Sequence, residues 1–572
     1  MNFYKNFNLA WNILTCDEKK VALLVRALGV SDPLARVLVN RGLTSVESAR
    51  TFLSPSLENL RNPFEIPGME DAADRVVRAL NSGERIAIYG DYDVDGITSI
   101  ALLSNFLSTY TSDITCYTPD RIEEGYGLHL KAMERLRNEG VSVLVAVDVG
   151  IADTEAVETA QSYGIDVLVI DHHQPPPDLP KALVLVDPHL RDESGYFKCL
   201  SAAGLTLYLL IALRAKLRNL GKYAHSKEPN LKFDMDLAAL GTIADMAPLV
   251  GPNRVIAYYG LEELSAERRP GISSLKKVAG LYRKKVTSGN VSFQLAPRIN
   301  AAGRMADASI AVELLTTKDS LRADEIARQL EALNTHRQEV ENKIMSDVMK
   351  QIERKELFRQ SAIVVGGRGW HQGVIGIIAS KITEIYGLPS VVVSLDGDTS
   401  KGSARSINGV NIFHAIRECS DLLVSFGGHE MAGGIVISEK KLREFNEKFL
   451  ETVKGLTDRV EKTGLRIDAE LDIEEDLDGK LAKELQKLSP HGVGNPEPIF
   501  KSSEVEAIEP KIIKNHLKFR VKTGLEGQVE AIGFDMAGMM DMLKNRVDIA
   551  YFPRLSGWGK LELVIKGIKS SD

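Results

Sequence analysis

Residues 86–98, IAIYGDYDVDGIT, place Asp91, Asp93 and Asp95 at alternate positions directly after an apolar run. Carboxylates this close repel and raise one another's pKa, so the cluster is costly unless something positive sits among them. An aspartate-rich turn is the bland alternative, since Asp and Gly are ordinary turn residues. The choice rests on whether further ligand types stand at equivalent places. Asp148 ends the run VLVAVD, Asp171, His172 and His173 follow VLVI, and Asp245 interrupts the otherwise apolar LAALGTIADMAPL. Together Asp91, Asp93, Asp148, His172 and Asp245 supply four carboxylates and an imidazole, a donor set for two divalent cations. Carboxylates alone suit Mg²⁺, and a histidine among them moves the preference toward Mn²⁺. A buried Asp171–His172 pair would explain the histidine alone but not five such residues at one sheet edge. Asp93 and Asp148 are expected in the region the two cations share. His173 is expected to support a ligand or contact a phosphate, because adjacent side chains diverge.

The elements that must position these groups are legible as apolar runs. RIAIYG, DITCYT, SVLVAVD, DVLVID and ALVLVD are separated by the helical patterns GITSIALLSNFLSTY, LHLKAMERLRNEG and ADTEAVETAQSYG. That alternation predicts βαβ units and a parallel sheet with helices on both faces, over residues 68–319. Ligands bind such a sheet outside the C-terminal ends of its strands, where these acids and histidines fall.

Residues 1–67 read as a helical, Pro-punctuated lead-in. Residues 320–356 carry Ile326, Leu330, Leu333, Val340, Ile344, Val348 and Ile352 at helical spacing, which predicts a long charged connector helix. A coiled coil is the alternative, weakened by the missing apolar residue near Arg337. Residues 357–458 form a second α/β pattern with the polar, glycine-rich loops GGRGWHQGVIG, GSARS and FGGHEMAGG. Glycines let backbone N–H groups approach a phosphate, with Arg405, Gly428 and His429 as candidate contacts. Residues 459–572 become strand-rich, and five short strands predict a small OB-like barrel. In HLKFRVKT, Leu517, Phe519 and Val521 face one side while Lys518, Arg520 and Lys522 face the other. That face is either a single-strand track or an ordinary solvated surface.

At 572 residues the chain is too long for one core, and 44% hydrophobic with 26% charged residues place it among globular proteins. Its 71 basic and 78 acidic residues give a net charge of −7, so any nucleic-acid surface must be local. No apolar stretch reaches the roughly 20 residues of a membrane span, and the start lacks a signal-peptide core. A cytoplasmic protein without membrane contact is expected. Cys16, Cys116, Cys199 and Cys419 form no CxxC pair, which argues against a disulfide framework or thiolate site.

The ordered set DYDVDG, Asp148, the Asp-His-His triplet at 171–173 and GTIADMAPL resembles the DHH phosphoesterase superfamily. FGGHEMAGG resembles the superfamily's associated second domain, and APRINAAGRM at 296–305 resembles its RecJ family in particular. The resemblance runs from about residue 30 to the C-terminus. It implies a two-metal, single-strand-specific DNA exonuclease working 5′ to 3′ and releasing mononucleotides, in recombination and repair. It also implies a single-stranded-DNA-binding protein and a helicase as partners of a monomer. On this reading Arg298 and Arg304, flanking Asn300, clamp a phosphate unless they are salt-bridged, while Tyr126 and Trp370 stack on unpaired bases unless they are core. Pyrophosphatase-like relatives carry a histidine four residues before the first aspartate. Here that position is Ala87, so Asp95 becomes a candidate ligand. A small-molecule or oligonucleotide phosphodiesterase sharing the metal site is the competing class, and the OB-like end favours a polymer. The intact ligand set disfavours a DNA-binding scaffold without catalysis.

Overall fold

A computed structural model describes residues 10–191, 194–457, 464–524 and 527–571. The chain divides into two compact units. The first comprises Thr51–Arg337 with the short segment Ser489–Pro496. Its sheet contains β1 (Ile86–Gly90), β2 (Ile114–Tyr117), β3 (Val143–Val147), β4 (Asp166–Ile170) and β5 (Val184–Val186). All pairings are parallel, in the order β2-β1-β3-β4-β5. β1 and β3 are buried at every position, which only an unbroken apolar run satisfies in a sheet covered on both sides.

Alternate residues serve opposite faces. Ile86, Ile88, Val143 and Val145 pack with α1 (Val94–Leu107), α4 (Ala202–Asn219) and α5 (Met235–Ala244). Ala87, Tyr89, Leu144 and Ala146 pack with α2 (Leu130–Asn138) and α3 (Thr154–Ser162). The chain leaves β1 for β2 on one side and continues with β3 on the other. Strand order therefore reverses between β1 and β3, and the crevice at a parallel sheet's C-terminal edge opens there.

Downstream lie α6 (Ala296–Met305) and the 35-residue α7 (Ser320–Arg354), the long helix expected from periodicity. Where the apolar pattern fails near Arg337, polar groups are buried instead: Asn334, Arg337 and Glu341 are at most 9% exposed. Arg337 Nη2 donates to Asn334 Oδ1 at 2.9 Å, which is not the apolar seam of a coiled coil.

The second unit gathers the described parts of Met1–Arg50, Gln338–Leu488 and Glu497–Asp572. The expectation of residues 1–67 as one lead-in is therefore corrected. Trp11–Ile13 pairs in parallel with Leu465–Ile467, and Asn40 Nδ2 donates to Asp468 O at 3.0 Å. Only the part from Thr51 onward belongs with the parallel sheet. A mixed sheet contains β6 (Ile363–Arg368), β7 (Ser390–Leu395), β8 (Thr399–Arg405), β9 (Ser425–Gly428) and β10 (Ala432–Ser438), ordered β9-β10-β8-β7-β6. The helix α8 (Gln372–Tyr386) follows β6.

The boundary expected at 458–459 lies outside the described residues. Beyond it an all-β sheet holds β11 (Ala469–Glu470), β12 (Phe500–Val505), β13 (Ile508–Ile513), β14 (His516–Thr523), β15 (Gly527–Gly533), β16 (Val547–Leu555) and β17 (Leu561–Ser570). Their order is β11-β12-β16-β17-β15-β14-β13. Among the described residues seven strands in this sheet and the separate Leu465–Ile467 replace the five expected, partly because SSEVEAIEP is two strands. Glu504 and Glu509 adopt positive φ and the ladder register shifts on both sides of the break. Among the described residues no helix is long and apolar enough to cross a membrane.

Candidate metal centre

β1 delivers Asp91 at its C-terminal end, and the chain turns there directly into α1. Asp93 caps that helix, its Oδ1 accepting from the N–H groups of Asp95 at 2.9 Å and Gly96 at 3.2 Å. The turn is tight enough that a Cβ on Gly96 would lie 2.4 Å from Asp91 O, so glycine is required. Asp95, 1% exposed, accepts from the N–H groups of Ala202 at 2.7 Å and Ala203 at 3.0 Å, at the start of α4. β3 delivers Asp148 in left-handed backbone, φ 64°, a conformation Asp tolerates better than most residues. Asp245 ends α5.

β4 delivers Asp171, His172 and His173. Asp171 is fully buried, and its Oδ1 accepts from the N–H groups of His172 at 2.8 Å and His173 at 3.2 Å and from His173 Nδ1 at 2.7 Å. Its Oδ2 accepts from Ile151 N–H at 3.1 Å. Asp171 is thus the clamp that fixes both histidines and the loop after β3. Nothing in its spacing distinguished it from a ligand or an ordinary buried partner.

Three sets of ligand atoms lie within 4.8 Å of one another: Asp91–Asp93–Asp148, Asp95–His172–Asp245 and Asp148–His172–His173. Asp148 and His172 each belong to two sets, so they, rather than Asp93, occupy the overlap. His173 lies beside Asp148 and His172 with its Nδ1 held by Asp171, so it neighbours the ligands and, once protonated, holds no cation itself. His172 Nε2 lies 3.2 Å from Asp148 Oδ1, 3.9 Å from Asp95 Oδ2 and 4.0 Å from Asp245 Oδ2. Ala87, the position of the relatives' histidine, is buried within β1.

The electrostatics are those of a site short of positive charge. Burial, then the neighbouring Asp93, pushes the Asp91 carboxyl up to about 8. Burial, then Asp95, pushes Asp245 up to about 7. Asp148 is raised well above the carboxylate range by burial and by Asp93 and Asp95. Asp171 behaves oppositely: burial would raise it, but the His173 hydrogen bond and charge bring it down to about 2. Burial opposes charge on His173, yet Asp171 outweighs it and lifts the imidazole to about 9. Asp171 and His173 are therefore an ion pair at neutral pH. Among the described residues buried Asp91 Oδ1 has no hydrogen-bond partner, and His172 Nε2 faces Asp148 Oδ1 at 3.2 Å without a hydrogen bond between them. Orphaned buried donors and acceptors are rare and need a reason, and oxygen and imidazole ligands around divalent cations supply one.

The remaining candidates divide. Arg298 is corrected: it pairs with Glu331 of α7, and its Nη1 donates to Gln294 O at 2.6 Å, so its fork is occupied by protein. Asn300 and Arg304 are partly buried on the same helix, α6, and the charge of Arg304 reaches Tyr92. Arg121, absent from the sequence reading, places its guanidinium 4.4 Å over the Tyr92 ring, and its charge acts on Asp91. The signal was available in DRIEEGYG, a basic residue just beyond the DITCYT strand. Tyr126 is 49% exposed and its hydroxyl donates to Asp148 O at 3.2 Å.

Trp370 is corrected as a stacking residue: it is 6% exposed, with its ring over Gly367 and its carbonyl accepting from Ser394 Oγ at 2.5 Å. The exposed tryptophan is Trp558, 93% accessible at the β16–β17 hairpin tip, beside Arg554 and Lys560 on the edge of an open groove. Arg405 ends β8 opposite Ala432, so GSARS and the Gly428–His429 turn meet at one end of the mixed sheet. On β14, Leu517, Phe519 and Val521 are buried as the alternation requires. The bare basic track is corrected: Lys518 pairs with Glu530 at 2.9 Å, and Arg520 bonds Glu509 and, at 2.9 Å, Gln528 Oε1. Lys522 is exposed and makes no ion pair with a described residue.

The DHH family, N-terminal domain, matches residues 85–242, the DHHA1 domain residues 359–455 and the RecJ OB domain residues 467–566. The chain is 35% identical over 576 residues to the single-stranded-DNA-specific exonuclease RecJ of Bacillus subtilis (strain 168), covering 99% of this chain and 71% of that protein. It is 36% identical over 540 residues to the Haemophilus influenzae protein of the same name, covering 91% and 94%. RecJ from Thermus thermophilus, solved in complex with Mn²⁺, is similar with a TM-score of 0.83 at 28% identity, covering 98% of this chain and 80% of that one. The Thermus protein has also been solved with Mg²⁺.

Proposed function

This chain belongs to the RecJ family of DHH proteins, and from that premise we propose that it is a metal-dependent exonuclease specific for single-stranded DNA. It hydrolyses phosphodiester bonds from the 5′ end and releases mononucleotides, in recombination and repair. The observation that carries this reading is the meeting of the sets Asp91–Asp93–Asp148 and Asp95–His172–Asp245 where Asp148 faces His172, beside two buried ligand atoms without hydrogen-bond partners among the described residues. Asp91, Asp93 and Asp148 would hold one cation and Asp95, His172 and Asp245 the other, either Mn²⁺ or Mg²⁺, with Asp148, 3.2 Å from His172, beside both sets. Two such cations, when bound, lower the pKa of a water and neutralise charge that builds on the phosphate and the leaving oxygen.

The chain's own groups do the rest. The Asp171–His173 pair keeps an imidazolium at neutral pH beside Asp148, where it can hold a phosphate oxygen or hand over a proton. Arg121 and Arg304 bring positive charge to Tyr92, between Asp91 and Asp93, and so can receive a terminal phosphate. Arg405, Gly428 and His429 offer a second phosphate surface, and Trp558 a ring for an unpaired base. A duplex presents no such base until a helicase opens it, and a single-stranded-DNA-binding protein keeps it open. Those are the partners this reading calls for, with the protein acting as a monomer in the cytoplasm.

End-labelled single strands, duplexes and dinucleotides incubated with Mn²⁺ or Mg²⁺ test it. Labelled mononucleotide released first from 5′-labelled single strands is the expected result. Turnover confined to dinucleotides would assign the chain to small-molecule phosphodiesterases instead.

A further inference from the structure

We propose that Tyr126 is a positioning residue, whose hydroxyl holds the main chain of Asp148 so that one carboxylate can serve two ligand sets. The inference rests on the metal-centre reading above. Asp148 is under two stresses. Its backbone is left-handed, φ 64°, and its carboxylate is 3% exposed among like charges. Both favour relaxation of the loop after β3. Two hydrogen bonds oppose it: Asp148 N–H donates to Ile170 O at 3.1 Å, and Asp148 O accepts from Tyr126 at 3.2 Å. The same phenol oxygen is 3.2 Å from His173 Nδ1, which Asp171 also holds. One hydroxyl therefore touches the loop after β3 and the loop after β4.

Tyr126 is itself anchored by a second set of contacts. Leu128 N–H donates to Asp153 Oδ2 at 2.9 Å. Gly127 adopts φ 100°, and a Cβ there would lie 2.7 Å from Asp153 Oδ1. Gly127 O accepts from the hydroxyl of Tyr89, a fully buried side chain of β1, at 2.9 Å. Asp153 N–H in turn donates to Gly150 O at 3.2 Å, within the stretch that follows Asp148. Residues 126–128 and 148–153 are thus braced at both ends, by Tyr126 on Asp148 and by Asp153 on Leu128. A stacking role would use the ring, whereas this role uses the hydroxyl.

That distinction sets the experiment. Mn²⁺ binding to the full chain is measured by calorimetry without nucleic acid, for the unaltered protein, Tyr126→Phe and Asp153→Asn. kcat and KM on a single-stranded oligonucleotide follow. Tyr126→Phe keeps the ring and should weaken Mn²⁺ binding about tenfold, the size of one hydrogen bond, and lower kcat about tenfold with KM within twofold. Asp153→Asn should shift both in the same direction by less, with thermal melting of Tyr126→Phe unchanged. Unaltered Mn²⁺ affinity and kcat in Tyr126→Phe overturn the proposal. So does a rise in KM alone in Tyr126→Leu, measured alongside, that Tyr126→Phe does not share, since that is the signature of stacking. If the unaltered protein binds Mn²⁺ but does not cleave single strands, the exonuclease reading fails while the calorimetric comparison still decides this one.

Discussion

The parallel-sheet edge and the strand β14 both concentrate charge, yet they treat it in opposite ways. At the sheet edge Asp91, Asp95, Asp148 and Asp245 crowd one place, burial raises their pKa values, and no lysine or arginine among the described residues pairs with any of them. On β14 Lys518 and Arg520 are partly exposed and each meets a carboxylate on a neighbouring strand. Exposed, matched pairs contribute at most about 1 kcal/mol each and signify a solvated surface. Buried, unmatched like charge is expensive, and a protein keeps it where a ligand of opposite charge is to be bound.

Removing charge from the crowded edge should have the largest effect. Asp148→Ala is expected to lower kcat on the order of 10³-fold or more, because it deletes a group common to two ligand sets. Asp91→Ala, His172→Ala and Asp245→Ala should each abolish most turnover as well. In the metal-free protein Asp148→Ala should melt higher than the unaltered chain, since repulsion is relieved. Normal turnover in any two of these variants with metal present would erase the contrast between the two regions.

The second effect is one of pH. Asp91 and Asp245 have folded-state values of about 8 and about 7, above the unfolded carboxylate value of about 4. Groups raised on folding stabilise below the unfolded value, and that contribution is lost as pH rises through the folded one. Metal-free protein should therefore lose stability between about pH 4 and 8, and Mn²⁺ should restore it at the upper end with release of protons. Asp171, lowered to about 2, has the opposite sign: its contribution is present above about pH 4 and is lost as pH falls toward 2. Urea unfolding at pH 5 and pH 8.5, with chelator or with Mn²⁺, reads this directly. A chelated protein equally stable at both would mean the edge carboxylates are not raised.

The same contrast explains what the sequence could reveal. Parallel strands advertise themselves, because only continuous Val, Ile, Leu and Ala survive burial on both faces, and the acids just beyond them fall at a predictable edge. Asp245 was legible as an acid in an otherwise apolar segment, and it ends α5. Partners distant in sequence were not. Glu331 neutralises Arg298 from 33 residues away, Glu530 and Glu509 face β14 from neighbouring strands, and Leu465–Ile467 captures Trp11–Ile13 across most of the chain. Trp370 stood in a polar, glycine-rich loop yet is core, because Gly367 leaves room for its ring. Composition located the loop, but only the fold shows which side of it faces water.

Within the all-β sheet, Trp558 sharpens the comparison by being apolar and unmatched. A ring 93% exposed at a hairpin tip has little packing among the described residues to lose. Trp558→Ala should weaken binding of a long single strand by about 1–3 kcal/mol, the worth of one stacked base, with melting temperature unchanged. Fluorescence anisotropy on an oligothymidine with chelated metal checks it. Equal affinity in the variant would remove this hairpin from the nucleic-acid surface.

The smallest effect is expected on β14 itself. For single strands the log–log salt slope of binding changes by roughly 0.7 per phosphate neutralised. Three bare cations would make that about 2 units for a triple change of Lys518, Arg520 and Lys522 to Ser. Two of them already have carboxylate or amide partners, and only Lys522 lacks an ion-pair partner among the described residues, so the triple variant should flatten the slope by about 0.7. Restoring Lys522 alone should recover the original slope. A change near 2 would mean that phosphates displace Glu530 and Glu509, making the matched pairs a store of positive charge released on binding. The distinction between matched and unmatched charge would then describe the protein without DNA and not the bound state.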